Sequence, residues 1–265
     1  MPAMRATIAY YDPPQRPAAD VRPDFNALPL AGQPVAVSDM RAAGGGFSLD
    51  REGFALASAP TSVRDFYDKD EIAGRYVPEA FELVRVLTGA AATGLLSNPV
   101  VRVSGRGGPR PAGATFTGDF AHADFSAAAA TDMVRHNLPP EEAELRLRGP
   151  RFAVFNVWRA FSGPPQDVPL ALCDTRSVAP GDKQYCEITL GERRWENITY
   201  YHNEAHRWWY CPDMTRDEAY VFRSFDSAPG HAEQVPHSAF VNESCPASAP
   251  PRASIELRVF AFYED

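Results

Sequence analysis

Several stretches of this chain alternate apolar and polar residues with a period of two, the pattern of half-buried strands. Ile8 and Tyr10 share one face of an extended stretch at residues 7–11, which predicts an edge strand, and residues 35–37 predict a second. The rest of residues 1–35 is rich in proline (Pro13, Pro14, Pro17, Pro23, Pro29, Pro34) and reads as an extended arm over the body of the domain. Residues 42–46, Ala-Ala-Gly-Gly-Gly, form a turn that lacks the pattern of a phosphate-binding loop. Residues 47–56 predict a hairpin turning at 51–53. Ser62 stands where it would cap a helix starting at Val63. Val77, Phe81, Val84 and Leu87 follow at helical spacing, with Pro78 suited to a first turn.

From residue 100 strands dominate. Val101 and Val103 alternate with Arg102 and Ser104, residues 105–113 form a Gly/Pro/Arg loop, and residues 114–120 predict another strand. Short helices are expected at 126–134 and 141–148. Strands are expected at 151–159, 170–173, 184–190, 198–201, 207–211, 219–225, around His237, and at 254–263. So many strands without intervening helices predict a mainly β chain in a double-sheet jelly roll with flanking helices. On this reading the chain is a single domain. Residues 1–98 supply the arm, hairpin and helices, and residues 99–265 the jelly-roll core.

Composition narrows the function classes. A chain of 265 residues, 45% hydrophobic and 11% aromatic, is globular and long enough to bury a sizeable core. A formal net charge of −8 argues against nucleic acid or an anionic membrane as partner and favours a small-molecule substrate. Cys173, Cys186, Cys211 and Cys245 form no C-x-x-C pair. The start of the chain has no apolar leader, and no run reaches the length of a membrane span. The cysteines therefore read as free thiols and the location as cytoplasmic.

The candidate chemistry centres on His122-Ala123-Asp124. Residues two apart on an extended chain point to one side, so both side chains can reach one metal ion. His237, late in the chain, is the candidate second histidine. Two His and one carboxylate on one face leave other positions of a non-haem Fe(II) open for oxygen chemistry. His202-Asn203-Glu204 and His231-Ala232-Glu233 are decoys of similar spacing, and a solvated His beside a solvated Asp is the bland alternative. Arg252 and Ser254 share a face at the start of the last strand, where a guanidinium fork and a hydroxyl can converge on one carboxylate. Arg258 lies further along the same face and is the reserve. Arg102-Val103-Ser104 is a second Arg-x-Ser. Asn156 and Arg159 are three apart and point to opposite faces, one to line a pocket and the other to support a loop. A metal hydrolase or a small-molecule binding module on the same jelly roll is the competing class.

Longer stretches carry a family resemblance: Asp65-Phe66-Tyr67-Asp68, His122-Ala123-Asp124, Phe155-Asn156-Val157-Trp158-Arg159, Pro169-Leu170-Ala171-Leu172-Cys173-Asp174 and His206-Arg207-Trp208-Trp209-Tyr210. Phe225-Asp226-Ser227, Pro236-His237-Ser238-Ala239-Phe240 and Pro250-Pro251-Arg252-Ala253-Ser254-Ile255-Glu256 continue it in order. With these the chain resembles the Fe(II)/2-oxoglutarate-dependent oxygenases. The group in question comprises natural-product hydroxylases and desaturases related to the cephamycin methoxylase subunit and to gibberellin-desaturase-like proteins. The resemblance implies a double-stranded β-helix of the cupin kind and use of Fe(II), 2-oxoglutarate and O2. It implies His122, Asp124 and His237 as metal ligands. With it Arg252 and Ser254 are the candidates for the distal carboxylate of 2-oxoglutarate, and Asn156 and Arg159 are further cofactor-binding candidates. The chain departs from the family pattern in a short, charged segment at 180–195 and in Ser238, where Thr is frequent.

Overall fold

The period-two pattern resolves into two curled, largely antiparallel sheets, seen in a computed structural model that describes residues 3–105 and 108–264. Arg106 and Gly107, in the loop expected at 105–113, lie outside the described residues, as do the first two residues and the last. The first sheet runs β1 (Met4–Tyr11), β2 (Leu30–Asp39), β12 (Trp208–Tyr210), β9 (Leu170–Cys173), β14 (His237–Ala239), β7 (His122–Ala123), β11 (Arg193–Tyr200), β10 (Lys183–Leu190). The second runs β3 (Phe54–Ser58), β13 (Glu218–Asp226), β8 (Arg151–Ala160), β15 (Ala253–Tyr263), β5 (Val100–Val103), β6 (Ala114–Phe116), and β4 (Ala92–Leu95) pairs with β15 further along. This is the expected mainly β jelly roll.

Strand alternation decides which residues face the site. On β15 the odd positions Ile255, Leu257 and Val259 pack with Phe155 and Val157 of β8 beneath a helical layer. That layer is one helical run: α1 (Lys69–Glu71), a π-helical turn (Ile72–Tyr76) and α2 (Val77–Thr88). Each fully buried side chain of this size contributes roughly 1.5–3 kcal/mol. The even positions of β8 and β13 turn the other way. Trp158, Tyr220 and Phe222 meet Leu170 and Leu172 of the first sheet. Two helices, α3 (Ala127–Asn137) and α4 (Pro140–Leu147), cover a further cluster with Phe152, Val154, Phe260 and Phe262.

Several local expectations change. The arm is not merely extended: β1 and β2 pair antiparallel along their whole length, Met4 with Val37 through Tyr11 with Leu30. Pro34 is tolerated within β2 because β12 pairs only with residues 37–39 on the other side. The hairpin at 47–56 does not form. Residues 48–53 make a compact turn on the Ser48 carbonyl, and β3 pairs instead with β13. Long-range pairing here wins over a local one. Ser62 caps no helix; its hydroxyl and amide donate to Glu79, while Asp68 caps α1 by accepting from the Asp70 and Glu71 amides. The strand expected at 114–120 stops at Phe116. Residues 183–200 form a full hairpin across the segment that reads as short and charged. Strands β2, β3 and β4 pair with strands of residues 99–265, and β1 joins them through β2 and a single bridge from Ala9 to Phe120.

Candidate active site

Strand β7 is only two residues long, yet it lies between β14 and β11, and its register sets His122 directly opposite His237. The two imidazole centroids are 4.3 Å apart. Each ring is fixed the same way: Nδ1–H of His122 donates to the Phe120 carbonyl at 2.8 Å, and Nδ1–H of His237 to the Val235 carbonyl at 3.1 Å. Both bonds reach two residues back, and both leave Nε2 as the lone-pair atom. Nε2 of His237 is buried without a hydrogen-bond partner. Asp124, just past β7, completes a group whose ligand atoms all lie within 4.8 Å of one another. Burial pushes the His122 imidazole down to about 3, with His237 adding to the fall and Asp124 opposing it. The decoy His231 is elsewhere, bonded to Asp50.

The Asp124 carboxylate is held from the second sheet. Arg258 grips it with both arms, Nε to Oδ2 at 2.9 Å and Nη2 to Oδ1 at 2.8 Å, and Asn156 Nδ2 donates to Oδ2 at 2.6 Å. Asn156 is itself fixed by the Ser224 hydroxyl at 2.7 Å. Burial alone would raise the Asp124 pKa, but Arg258 outweighs it and keeps the carboxyl well below its usual range.

Beside the two histidines is a small cavity lined by Arg102, Gly118, Trp158, Arg252 and Glu256 among others. Arg252 is 1% exposed, and its Nε has no hydrogen-bond partner. Its guanidinium lies 5.4 Å from the Trp158 ring centroid. Burial, and then repulsion from Arg102, pull its pKa down to about 9, with Asp167 and Glu256 opposing the fall, so it remains a cation in a buried cavity. Ser254 is buried, with its hydroxyl 3.5 Å from the Arg102 carbonyl.

Three of the expected cofactor residues have other placements. Asn156 lines the interior but bonds to Asp124. Arg159 is on the opposite face of β8, as the three-residue spacing requires. It reaches the Arg216 carbonyl, lies over Tyr76 beneath the helical layer, and does not join the cavity. Arg258, the reserve for a carboxylate ligand, is engaged by Asp124 and Glu256. The sequence names Arg102 only within a second Arg-x-Ser and Glu256 only within the 250–256 stretch, and gives neither a place in the cavity. The face they share with Arg252 was a usable signal, since residues 252, 256 and 258 have one parity and the second Arg-x-Ser supplies Arg102.

A family model described as "Oxidoreductase/YMDC permease-like domain" matches residues 7–262. Among curated relatives, "Hydroxylase/desaturase CTB9" of Cercospora beticola is 33% identical over 87% of this chain and 76% of its own. "Hydroxylase/desaturase efuI" of Hormonema carpetanum is 33% identical over 88% and 84%. "Fe(II)/2-oxoglutarate-dependent dioxygenase nvfI" of Aspergillus novofumigatus is 29% identical over 96% and 90%. The solved structure "iron and alpha-ketoglutarate-dependent endoperoxidase NvfI" superposes with a TM-score of 0.87 at 23% identity, covering 100% of this chain and 99% of that one, and so shares the fold. The chain is thus an oxidoreductase of the matched family. Within that class it belongs to the Fe(II)/2-oxoglutarate-dependent oxygenases, which act on small molecules.

The family implies Fe(II), 2-oxoglutarate and O2. The donor set suits such a metal: two neutral imidazole Nε2 atoms, one of them buried and unpartnered, and one carboxylate. Among the described residues no helix is long and apolar enough to cross a membrane.

Proposed function

We propose that residues 1–265 act as one oxygenase domain that oxidises a small molecule of natural-product metabolism by hydroxylation, desaturation or oxidative cyclisation. His122, Asp124 and His237 hold Fe(II), and Arg252 receives the distal carboxylate of 2-oxoglutarate. The observation that carries this reading is the buried, unpartnered Nε2 of His237, set against His122 and Asp124. Leaving such a polar atom without a partner costs about 1–3 kcal/mol, which a bound metal would recover.

When bound, Fe(II) supplies O2-dependent oxidation driven by 2-oxoglutarate. The protein's own part is orientation. The Phe120 and Val235 carbonyls fix both imidazole tautomers, and Asn156 and Arg258 fix the carboxylate. Arg252 offers a desolvated cation to an anionic co-substrate, where a charged hydrogen bond is strong. Ser254, one inward position along, supports the cavity wall through Arg102. Three buried free cysteines, Cys173, Cys186 and Cys211, and a net charge of −8 support a cytoplasmic enzyme that binds neither nucleic acid nor membrane.

The test is Asp124→Ala, with His122→Ala and His237→Ala beside it. Each is expected to lose stoichiometric iron and succinate formation while keeping the wild-type circular dichroism spectrum. Anaerobic addition of 2-oxoglutarate to the Fe(II) protein should produce a charge-transfer band. Wild-type iron content and full succinate production in Asp124→Ala would sink the assignment, and absence of the band would favour a hydrolytic or binding role.

A further inference from the structure

We infer that Arg258 and Glu256 form a positioning pair that makes Asp124 a one-oxygen metal ligand, through Oδ1, and restores the charge a dication needs. The inference rests on the proposed reading of His122, Asp124 and His237 as metal ligands. An ionised carboxylate has about four lone-pair sites. Oδ2 accepts two hydrogen bonds, from Asn156 Nδ2 and Arg258 Nε; Oδ1 accepts one, from Arg258 Nη2. Oδ2 is therefore saturated, and Oδ1 has one lone pair left. Turning the carboxylate to offer both oxygens to a metal would break the Arg258 fork. The fork is rigidly based, because Arg258 and Asn156 are direct partners in the β8–β15 register, and Ser224 holds Asn156. A two-oxygen Asp124 would take one coordination position more from the co-substrate side.

Charge explains Glu256. Arg258 by itself would cancel Asp124, leaving two neutral imidazoles and a neutral ion pair to attract a dication. Glu256, the next inward position on β15, is 5% exposed, lines the same cavity and lies against Arg258 Nη2. Asp124, Arg258 and Glu256 together carry one negative charge, the same as a lone Asp124 would. Within this group of three the carboxylate geometry is fixed and the charge of a lone Asp124 is kept, while Arg102 and Arg252 stand as further cations of the same cavity. Arg252, on the same face, stays available to an anion.

The test needs no turnover. Co(II) is titrated into the full-length protein, with affinity read by calorimetry and coordination by the visible absorption of Co(II). Wild type, Asp124→Ala, Arg258→Lys, Arg258→Met and Glu256→Gln are compared. Glu256→Gln, nearly isosteric, should bind Co(II) about tenfold or more weakly, the usual scale for groups that support metal ligands, with the wild-type band shape. Arg258→Lys and Arg258→Met lose the fork and should change the band intensity and position. Wild-type affinity in Glu256→Gln, or a wild-type band in both Arg258 variants, overturns the inference. If instead wild type binds Co(II) no better than Asp124→Ala, the reading of the three ligands beneath it fails first. Should the Arg258 variants not fold, Glu256→Gln decides the matter alone.

Discussion

Replacing Arg252 by methionine probes the co-substrate end of the cavity. The guanidinium is buried, its Nε is unpartnered, and burial pulls its pKa down to about 9. Keeping this cation buried therefore carries a desolvation cost. An incoming carboxylate relieves that cost. Truncating one member of a buried charged pair typically costs about 2–5 kcal/mol, or roughly 30-fold to several thousandfold in Kd. Arg102 remains as a second cation nearby, so the lower end applies, and 2-oxoglutarate should bind about 30- to 100-fold more weakly. The same substitution removes a buried charge that Asp167 and Glu256 offset only in part, and leaves an apolar chain against Trp158. The ligand-free variant should therefore unfold at the wild-type temperature or above it. Calorimetric titration of 2-oxoglutarate into anaerobic Fe(II) protein reads the first effect, with metal affinity measured separately. An unchanged Kd, or loss of metal alongside loss of 2-oxoglutarate, refutes the assignment of Arg252 to the co-substrate.

Two further substitutions probe the surroundings. A Cβ at Gly118 would stand 3.2 Å from Cε1 of His122, so Gly118→Ala should push the ring by a few tenths of an ångström. It should lower metal affinity by up to about tenfold, the lower end of what disturbing the support of a metal ligand costs, with the unfolding midpoint unchanged; equilibrium dialysis with Fe(II) checks this. Glu79 accepts hydrogen bonds from Thr61 and Ser62, and despite the opposing effect of burial these hold its carboxyl below 4.5. A depressed folded-state pKa stabilises fully above the unfolded value and loses that contribution as pH falls through the folded one. Glu79→Gln should therefore be less stable than wild type at pH 7 in urea unfolding, and the gap should close as the pH drops below 4.5.

What the sequence by itself determined follows from a periodicity of two. That His122 and Asp124 share a face, that Arg252, Ser254 and Arg258 share another, and that Asn156 and Arg159 oppose each other all follow from parity, which a strand keeps whatever it pairs with. The long strands at Arg151–Ala160 and Ala253–Tyr263 were legible for a different reason: they are nearly continuous apolar runs, as strands buried on both faces must be. Parity does not say which strand lies opposite which. That is set by sheet order and register, formed between residues far apart in the chain. Register brought His237 opposite His122 and Arg258 opposite Asn156, and so gave Arg258 to Asp124 instead of to a ligand. The helical layer on the outer face of β8 took Arg159. The partner strand β13 took residues 54–58 from the hairpin that local turn signals favour, because pairing with a buried neighbouring strand stabilises more than a two-stranded hairpin can alone.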